Sequence, residues 1–188
     1  WTDMNEAPRL ALVTGASGYI GSRLVPELLA QGWRVRVLTR SRDKIAPRSW
    51  VDAVDVVEGD VSDGAALRQA LAGVDVAYYL VHSMDGKPGF ADRDADLART
   101  MIAAADDVGV PQLVYLSGLH PAGDLSEHLS SRVQVGQILL DGATPTVVLQ
   151  AAVILGAGSA SFEMLRHLTH RLPVMVTPRW VRNRIQPI

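Results

Sequence analysis

The sequence of 188 residues contains no cysteine, which excludes disulfide bonds, thiol catalysis and thiolate metal sites. It also contains no apolar run long enough to cross a bilayer. Residues Trp1 to Glu6 carry neither the basic region nor the apolar region of a signal peptide. The formal net charge of -2 lacks the basic excess that is typical of nucleic-acid binding. These absences favour a cytoplasmic protein with no nucleic-acid partner and no membrane span.

The length suits one compact domain with a sizeable hydrophobic core, and we expect residues 1–188 to form a single domain. The sequence ends at Gln186-Pro187-Ile188 without a capping or terminal signal. We therefore expect a continuation beyond residue 188. The sequence carries no signature of an oligomeric state.

Apolar runs of strand length alternate with longer helical patterns along the chain, as βαβ units require. Strands are predicted at residues 9–14, 34–39, 54–58, 76–81, 113–117 and 146–154. Helices are predicted at residues 19–31, 64–71, 92–108, 127–140 and 161–171. The alternation predicts an α/β fold with a doubly wound parallel sheet, which is the Rossmann fold.

Two of these helices carry further expectations. Pro26 lies inside the first one, where it removes a hydrogen bond and should produce a kink. In the last one, apolar residues recur at helical spacing and are expected in the core, namely Phe162, Met164, Leu165 and Leu168. His167 and His170 of that helix lack a carboxylate at metal-ligand spacing, so a surface position is favoured over a metal site.

A spaced-glycine motif, TGASGYIG, runs from Thr14 to Gly21 between the first predicted strand and the first predicted helix. This context is typical of a dinucleotide-binding turn. Gly15 permits the tight turn, Gly18 lets a pyrophosphate approach the backbone, and Gly21 lets the helix pack close to the strand. The helix N-terminus offers N–H groups and a positive dipole end to the phosphates. The predicted cofactor contacts of the motif are Gly15, Ser17, Gly18, Tyr19, Ile20 and Gly21, and the alternative is a glycine turn that binds no nucleotide.

The end of the second predicted strand distinguishes the two nicotinamide dinucleotides. NAD-specific folds carry an Asp or Glu there, about 20 residues after the glycine turn, to bind the ribose hydroxyls. This sequence has Arg40 in that place, followed by Ser41, and we assign both to the cofactor site. A guanidinium can hold a 2′-phosphate through two hydrogen bonds, which favours NADP(H) over NAD(H). For Arg42 and Lys44, a phosphate contact and an ordinary solvated loop are equal alternatives.

Gly59-Asp60-Val61 follows the third predicted strand. A carboxylate at Asp60 can accept a hydrogen bond from the adenine amino group, and Val61 can pack on the ring. The alternative is that Asp60 caps the next helix, in competition with Ser62 or Asp63.

Val81 and His82 end the fourth predicted strand. In a doubly wound fold this stretch passes the nicotinamide ribose, so we predict a cofactor contact from both residues. Simple termination of the strand is the alternative.

Together these features resemble the atypical short-chain dehydrogenase/reductase superfamily, specifically its NmrA-like NAD(P)H-binding branch. The resemblance rests on the glycine motif, Arg40, Gly59-Asp60-Val61 and Tyr115-Leu116-Ser117-Gly118, and it spans nearly the whole chain. The run from Gly158 to Arg166 also looks like a subgroup of uncharacterised bacterial NAD(P)H-binding proteins. The resemblance implies a Rossmann fold, a nicotinamide dinucleotide and oxidoreductase ancestry.

The sequence departs from this superfamily at the catalytic pair. Its active reductases use Tyr-x-x-x-Lys on the helix after the fifth strand, and a Ser after that strand holds the substrate oxygen. No tyrosine of this chain has a Lys four residues on, and the matching helix carries His128 and Arg132 on one face, with Ser117 where the substrate Ser would lie. The resemblance therefore implies Ser117, His128 as proton donor and Arg132 at the ribose as catalytic residues. The alternative is a surface pair of His128 and Arg132 without chemistry.

The sequence thus predicts an NADP(H)-binding oxidoreductase-like protein that transfers hydride to a small carbonyl, enone or quinone substrate. One alternative is a non-catalytic NAD(P)H sensor that acts through a regulated partner protein, as the NmrA resemblance implies. Another is a structural assembly factor that retains the nucleotide for stability. No metal site is predicted.

Overall fold

The computed structural model of the chain describes residues 8–82, 89–119 and 125–171. Within these ranges the strands are β1 (Leu10–Thr14), β2 (Arg34–Thr39), β3 (Asp55–Glu58), β4 (Val76–Tyr79), β5 (Leu113–Gly118) and β6 (Thr146–Ala151). The helices are α1 (Gly21–Ala30), α2 (Gly64–Leu71), α3 (Phe90–Val108), α4 (Glu127–Leu140) and α5 (Ala160–Arg171). Two short 3₁₀ turns that the sequence did not predict lie between β2 and β3, at Arg42–Lys44 and Val51–Ala53.

The six strands form one parallel sheet in the order β3-β2-β1-β4-β5-β6. The chain places β2 and β3 on one side of β1 and then returns to add β4, β5 and β6 on the other side. This reversal lies between β1 and β4, and open α/β sheets bind ligands beyond the carboxyl ends of the strands at such a point. The predicted doubly wound α/β fold is confirmed.

The central strand β1 is buried on both faces, as a parallel strand covered by helices on both sides requires. Its residues alternate between two hydrophobic cores. Leu10 and Leu12 enter the core formed with α2, α3 and α4, whereas Ala11 and Val13 enter the core formed with α1 and Trp50. Because helices cover both faces, the carboxyl ends of the strands are the edge of the sheet at which a site can form.

Strand β4 ends two residues earlier than predicted because a side chain replaces its backbone partner. The Thr14 hydroxyl donates a hydrogen bond to the Tyr78 carbonyl at 3.1 Å and accepts one from the Leu80 N–H at 3.2 Å. Leu80, Val81 and His82 therefore lie beyond the ladder.

Helix α1 runs as one helix from Gly21 to Ala30 with Pro26 inside it. Its buried side chains, Val25 and Leu28, pack in the core, while Pro26 is exposed. Core packing of that face supports the helix despite the hydrogen bond that proline cannot make.

The last part of the described chain differs most from the expectation. Strand β6 ends at Ala151 rather than at residue 154, opposite Gly118, which is the last residue of its partner β5. The expected core position of the apolar residues of α5 is wrong, since their exposed fractions range from 36% to 64% for Phe162, Met164, Leu165 and Leu168. Helical spacing predicts that these side chains share a face, and it does not determine whether another element covers that face.

Candidate functional site

A cleft of about 590 Å³ opens at the carboxyl ends of β1, β2, β3 and β4. It is lined by eight of the residues that the sequence assigned to a cofactor, namely Gly15, Ser17, Gly18, Arg40, Asp60, Val61, Val81 and His82. Several other residues that line the cleft were not predicted from the sequence, for example Ala16 and Leu97. Lys44, for which two alternatives were open, also lines the cleft.

The glycine turn at the floor of the cleft has no room for larger side chains at two positions. Gly15 has a φ of +73°, and a Cβ there would lie 3.0 Å from the Leu80 carbonyl oxygen. A Cβ on Gly21 would lie 2.7 Å from the Cα of Ala16. The turn closes through a 3.0 Å hydrogen bond from the Gly18 N–H to the Gly15 carbonyl. These contacts agree with the expected tight turn and close helix packing.

The start of α1 has no side-chain cap. Ile20 occupies the N-cap position and makes no side-chain hydrogen bond to the first turn of the helix. Arg48, which the sequence did not single out, donates a 3.0 Å hydrogen bond from Nη2 to the Ser17 carbonyl and so supports the turn from outside. Because no side chain caps α1, the backbone N–H groups at its N-terminus are available to an anion.

Tyr19 faces the loop after β6 and is not among the residues that line the cleft. The guanidinium of Arg23 stacks over its ring at 3.7 Å and donates a 2.9 Å hydrogen bond to the Ala157 carbonyl. The Tyr19 hydroxyl lies so close to Gly156 that a Cβ at Gly156 would collide with it. Tyr19 and Arg23 thus tie the glycine turn to the loop that precedes α5.

The ends of β2 and β3 bring opposite charges together at one side of the cleft. The Nε of Arg40 lies 4.0 Å from Oδ2 of Asp60, and the side chain of Arg40 is 69% exposed. Arg42 points elsewhere, to Asp52 at 3.6 Å. Ser41 accepts a 3.3 Å hydrogen bond from the Asp43 N–H and caps the first 3₁₀ turn. Arg40 and Lys44 are therefore the cations that the described chain places on this part of the cleft.

Asp60 does not cap the next helix. Its Oδ1 accepts hydrogen bonds from the Ser62 N–H at 2.9 Å and from the Ser62 hydroxyl at 2.7 Å. Asp63 caps α2, since its Oδ1 accepts from the N–H groups of Ala65 and Ala66. The hydrogen bonds from the backbone and hydroxyl of Ser62, together with the charges of Arg40 and Lys44, hold the pKa of Asp60 below its ordinary value despite partial burial.

At the end of β5, the side chain of Ser117 meets the backbone of Arg132. The buried Ser117 hydroxyl donates a 3.4 Å hydrogen bond to the backbone carbonyl of Arg132 on α4. A Cβ on Gly118 would lie 3.4 Å from Cδ of Arg132, so the Arg132 side chain crosses the end of the strand. His128, one turn earlier, stacks on the buried ring of Phe90 with the ring centroids 4.4 Å apart, and it does not line the cleft.

His82 lies at the same edge of the sheet, after the neighbouring strand β4. Partial desolvation and the charge of Arg132 lower the pKa of His82, while Asp94 and a hydrogen bond with the Leu80 backbone oppose this effect. Burial raises the pKa of Tyr115 above its ordinary value. The charge of Arg132 and polar interactions with the side chains of Ser117 and Arg132 lower it, but by less than burial raises it. The sequence analysis missed Tyr115 and Asp94 as members of this cluster. The alternation that places Tyr115 and Ser117 on one face of β5 was the available signal for the former.

The described residues contain no group of three or more His, Asp or Glu side chains that could hold a metal ion. His167 and His170 line an open groove on α5 with Glu163 and Arg166.

None of the described helices combines the length and the apolar character that a membrane span needs.

A family model described as NAD(P)H-binding matches residues 15–148 of the chain. The chain is 30% identical to ceramide reductase of Caulobacter vibrioides over 174 residues, which cover 90% of this chain and 54% of that protein. It is 33% identical to cinnamoyl-CoA reductase 1 of Oryza sativa over 119 residues, which cover 60% of this chain and 35% of that protein. The chain thus spans about half the length of the first relative and about a third of the second.

Solved structures with the same fold carry either dinucleotide. Triphenylmethane reductase of Citrobacter sp., complexed with NADP(H), superimposes with a TM-score of 0.68 at 20% identity. The superposition covers 86% of this chain and 55% of the reductase chain. The enzyme WbmG of Bordetella bronchiseptica, in complex with NAD, gives a TM-score of 0.68 at 20% identity. The superposition covers 82% of this chain and 56% of the WbmG chain. At these identities the similarity establishes the fold.

Proposed function

The chain belongs to the NAD(P)H-binding family, and on that premise we propose that it is the cofactor-binding part of an NADP(H)-dependent reductase. The observation that carries the proposal is the position of Arg40 and Lys44 on the cleft beside the glycine turn. Its relatives include enzymes named ceramide reductase and cinnamoyl-CoA reductase. The proposed substrate is a small carbonyl, enone or quinone compound.

The glycine turn fits the pyrophosphate of a dinucleotide. Gly18 lines the cleft, and among the described residues beyond its chain neighbours a Cβ placed on it would meet one atom within 4 Å, the Gly15 carbonyl oxygen at 3.2 Å. The N-terminus of α1 is not capped by a side chain. Backbone N–H groups of Ser17, Tyr19 and Ile20 would hold the phosphates, and the glycines of the turn, Gly15, Gly18 and Gly21, would allow the approach.

Arg40 and Lys44 support a preference for NADP(H). A 2′-phosphate beside Arg40 would gain charge-assisted hydrogen bonds that a ribose hydroxyl cannot make. Ser41 stands next to this position and would contribute a backbone contact. Asp60 would accept a hydrogen bond from the adenine amino group, with Val61 packed on the ring.

At the other end of the cleft, Val81 and His82 would contact the nicotinamide ribose. The bound cofactor supplies a hydride to the substrate carbon. Ser117 would bind the substrate oxygen, which requires its hydroxyl to leave the Arg132 carbonyl that it contacts at 3.4 Å. Arg132 would stabilise the negative charge that develops on that oxygen or contact the ribose.

Titration calorimetry with NADPH and NADH tests the cofactor proposal. We expect tighter binding of NADPH, and Arg40→Gln should reduce the affinity for NADPH by about 1.5–3 kcal/mol, as for hydrogen bonds to charged groups, with little effect on NADH. Arg42→Gln is the matched control, because Arg42 pairs with Asp52 away from the cleft. Equal affinities of the unmodified protein for the two dinucleotides would refute the preference.

A non-catalytic NAD(P)H sensor is the second proposal. It is supported by the absence of a Tyr-x-x-x-Lys pair from the sequence and by the exposed apolar side chains on β6 and α5, such as Leu149 and Leu165, which a partner protein could contact. Tight NADPH binding with no oxidation of NADPH in the presence of acetophenone, 2-cyclohexenone or menadione would favour the sensor. Substrate-dependent loss of NADPH absorbance would favour the reductase.

A further inference from the structure

Two side chains from different elements meet beyond the carboxyl ends of the neighbouring strands β4 and β5. Arg132 crosses the end of β5, with its Cδ 3.4 Å from the position of a Cβ on Gly118. His82 lines the cleft, and it and Gly118 each stand three residues beyond the paired Tyr79 and Tyr115 of the two neighbouring strands. Substrates of open α/β sheets bind at this edge, so both groups are placed toward a reacting molecule.

A third residue lies beneath Arg132. The side chain of Tyr115 is 2% exposed, and its ring centroid is 5.9 Å from that of Tyr79. Its Cε1 would be 3.8 Å from a Cβ on Gly136, so the ring sits under α4. Ser117, two residues on along the same face of β5, donates to the backbone carbonyl of Arg132, and the charge of Arg132 acts on the Tyr115 hydroxyl. A buried hydroxyl in this position can hold the guanidinium in one orientation.

We propose that Arg132 and His82 act together on the substrate oxygen, with Tyr115 as a positioning residue that orients Arg132 from below. This proposal rests on the proposed reductase function. It assigns the proton donor to His82 in place of His128, because the ring of His128 is stacked on Phe90 whereas His82 lines the cleft.

The chemistry requires one hydride and one proton. The new C–H bond would form with a hydride that NADPH would supply when bound, leaving NADP⁺. Arg132 stabilises the electron pair that moves from the carbonyl double bond onto the oxygen, and it keeps its own proton throughout. The protonated His82 donates a proton to that oxygen, which yields an alcohol and a neutral imidazole that water then reprotonates.

The charges around His82 set its pH dependence. Desolvation by burial and the charge of Arg132 on α4 disfavour the protonated ring, whereas Asp94 of α3 and a hydrogen bond with the Leu80 backbone favour it. The balance lowers the pKa of His82 below its ordinary value of 6.5. Since the protonated ring is the donor, turnover should fall as pH rises through that lowered pKa.

Proton NMR titration of the histidine rings tests the arrangement without turnover. The signals of His82 are assigned by their loss in His82→Asn. Arg132→Gln should raise the pKa of His82, because the positive charge that disfavours protonation is gone. Arg99→Gln is the matched control, since Arg99 pairs with Asp96 on the surface of α3 and should leave the pKa unchanged.

The same titration tests Tyr115 as a positioning residue. Tyr115→Phe should raise the pKa of His82 toward its value in Arg132→Gln, because the guanidinium is released from its place. Tyr78→Phe is the control, since Tyr78 packs in the opposite core. Thermal unfolding of both variants separates this effect from a loss of fold, which Tyr115→Phe should leave intact.

Kinetics with acetophenone, 2-cyclohexenone and menadione test the chemical role. His82→Asn should lower kcat by about 10²–10⁴-fold and flatten its pH profile. His167→Asn on α5 should change none of these. An unchanged His82 pKa in Arg132→Gln, or a flattened profile in His128→Asn but not in His82→Asn, would overturn the inference. NADPH binding without turnover of any probe would instead refute the reductase function, and the titration would still decide whether Arg132 and His82 are paired.

Discussion

Arg40 and Asp60 face each other across one side of the cleft, with Nε of the guanidinium 4.0 Å from Oδ2 of the carboxylate. Both side chains are substantially exposed, so the attraction between them is weak and either can turn to a ligand. The other oxygen of Asp60 is held by Ser62. This geometry places an acceptor and a donor of opposite charge at the position proposed for the adenosine moiety.

Replacement of Asp60 should separate adenine recognition from phosphate recognition. We expect Asp60→Ala to weaken NADH binding by about 1.5–3 kcal/mol through loss of a charge-assisted hydrogen bond to the adenine amino group. NADPH should lose less, because the negative charge near its 2′-phosphate is removed as well. Calorimetry with both dinucleotides measures the two effects.

Asp63→Ala is the control for this variant. Asp63 caps α2, so its loss should cost about 1 kcal/mol of stability and leave both affinities unchanged. Unchanged NADH affinity in Asp60→Ala would exclude the adenine contact.

Gly18 and Gly21 should respond differently to the same substitution. A Cβ on Gly18 meets only the Gly15 carbonyl, at 3.2 Å, so Gly18→Val should remain folded while its side chain fills the space of the pyrophosphate and abolishes binding. A Cβ on Gly21 would lie 2.7 Å from the backbone of Ala16, so Gly21→Val should lower the melting temperature. Fluorescence titration with NADPH and thermal unfolding give the two readouts. Normal affinity in a folded Gly18→Val protein would show that the turn binds no nucleotide.

Asp106 should make stability sensitive to acid. Its carboxylate accepts hydrogen bonds from the Thr144 N–H and hydroxyl, both at 2.7 Å, and from the Ala143 N–H at 3.1 Å. Desolvation tends to raise the pKa of Asp106, but these hydrogen bonds outweigh it and lower the pKa below 3.8. The stabilisation is therefore complete above pH 3.8 and is lost as pH falls through the lowered pKa.

Urea unfolding checks this expectation. At neutral pH, Asp106→Ala should cost more than about 1 kcal/mol, and the difference from the unmodified protein should shrink in acid. Asp107→Ala, which removes an exposed ion pair with Arg68, should cost no more than about 1 kcal/mol. Similar costs for the two variants at neutral pH would contradict the account.

Several elements of the site were predictable because their cause is local. The apolar run before Gly15, the glycine spacing and the amphipathic helix after it predict a strand, a turn and a helix from neighbouring residues alone. Arg40 was located by counting from the turn to the end of the second strand. For Asp60, the local sequence left two alternatives, and the structure excluded the helix cap because Asp63 makes it.

Other features depend on residues far apart in the chain. Tyr19 meets Gly156, and Thr14 ends strand β4 through Tyr78 and Leu80, yet no local pattern joins these positions. The stripe of apolar side chains on α5 was expected in the core, but spacing alone cannot tell whether a face is covered. The grouping of Tyr115, Arg132 and His82 likewise requires the strand order.

By itself the sequence determined the fold class, the glycine turn and the basic residue at the end of β2, since these follow from hydrophobic periodicity and from backbone requirements that glycine alone meets. The tertiary structure decided which side chains meet beyond the strand ends. It placed Arg132 at the end of β5, next to the strand that His82 follows, because neighbouring parallel strands end at the same edge of the sheet. It left His128 on Phe90, because successive residues of α4 point in different directions around the helix.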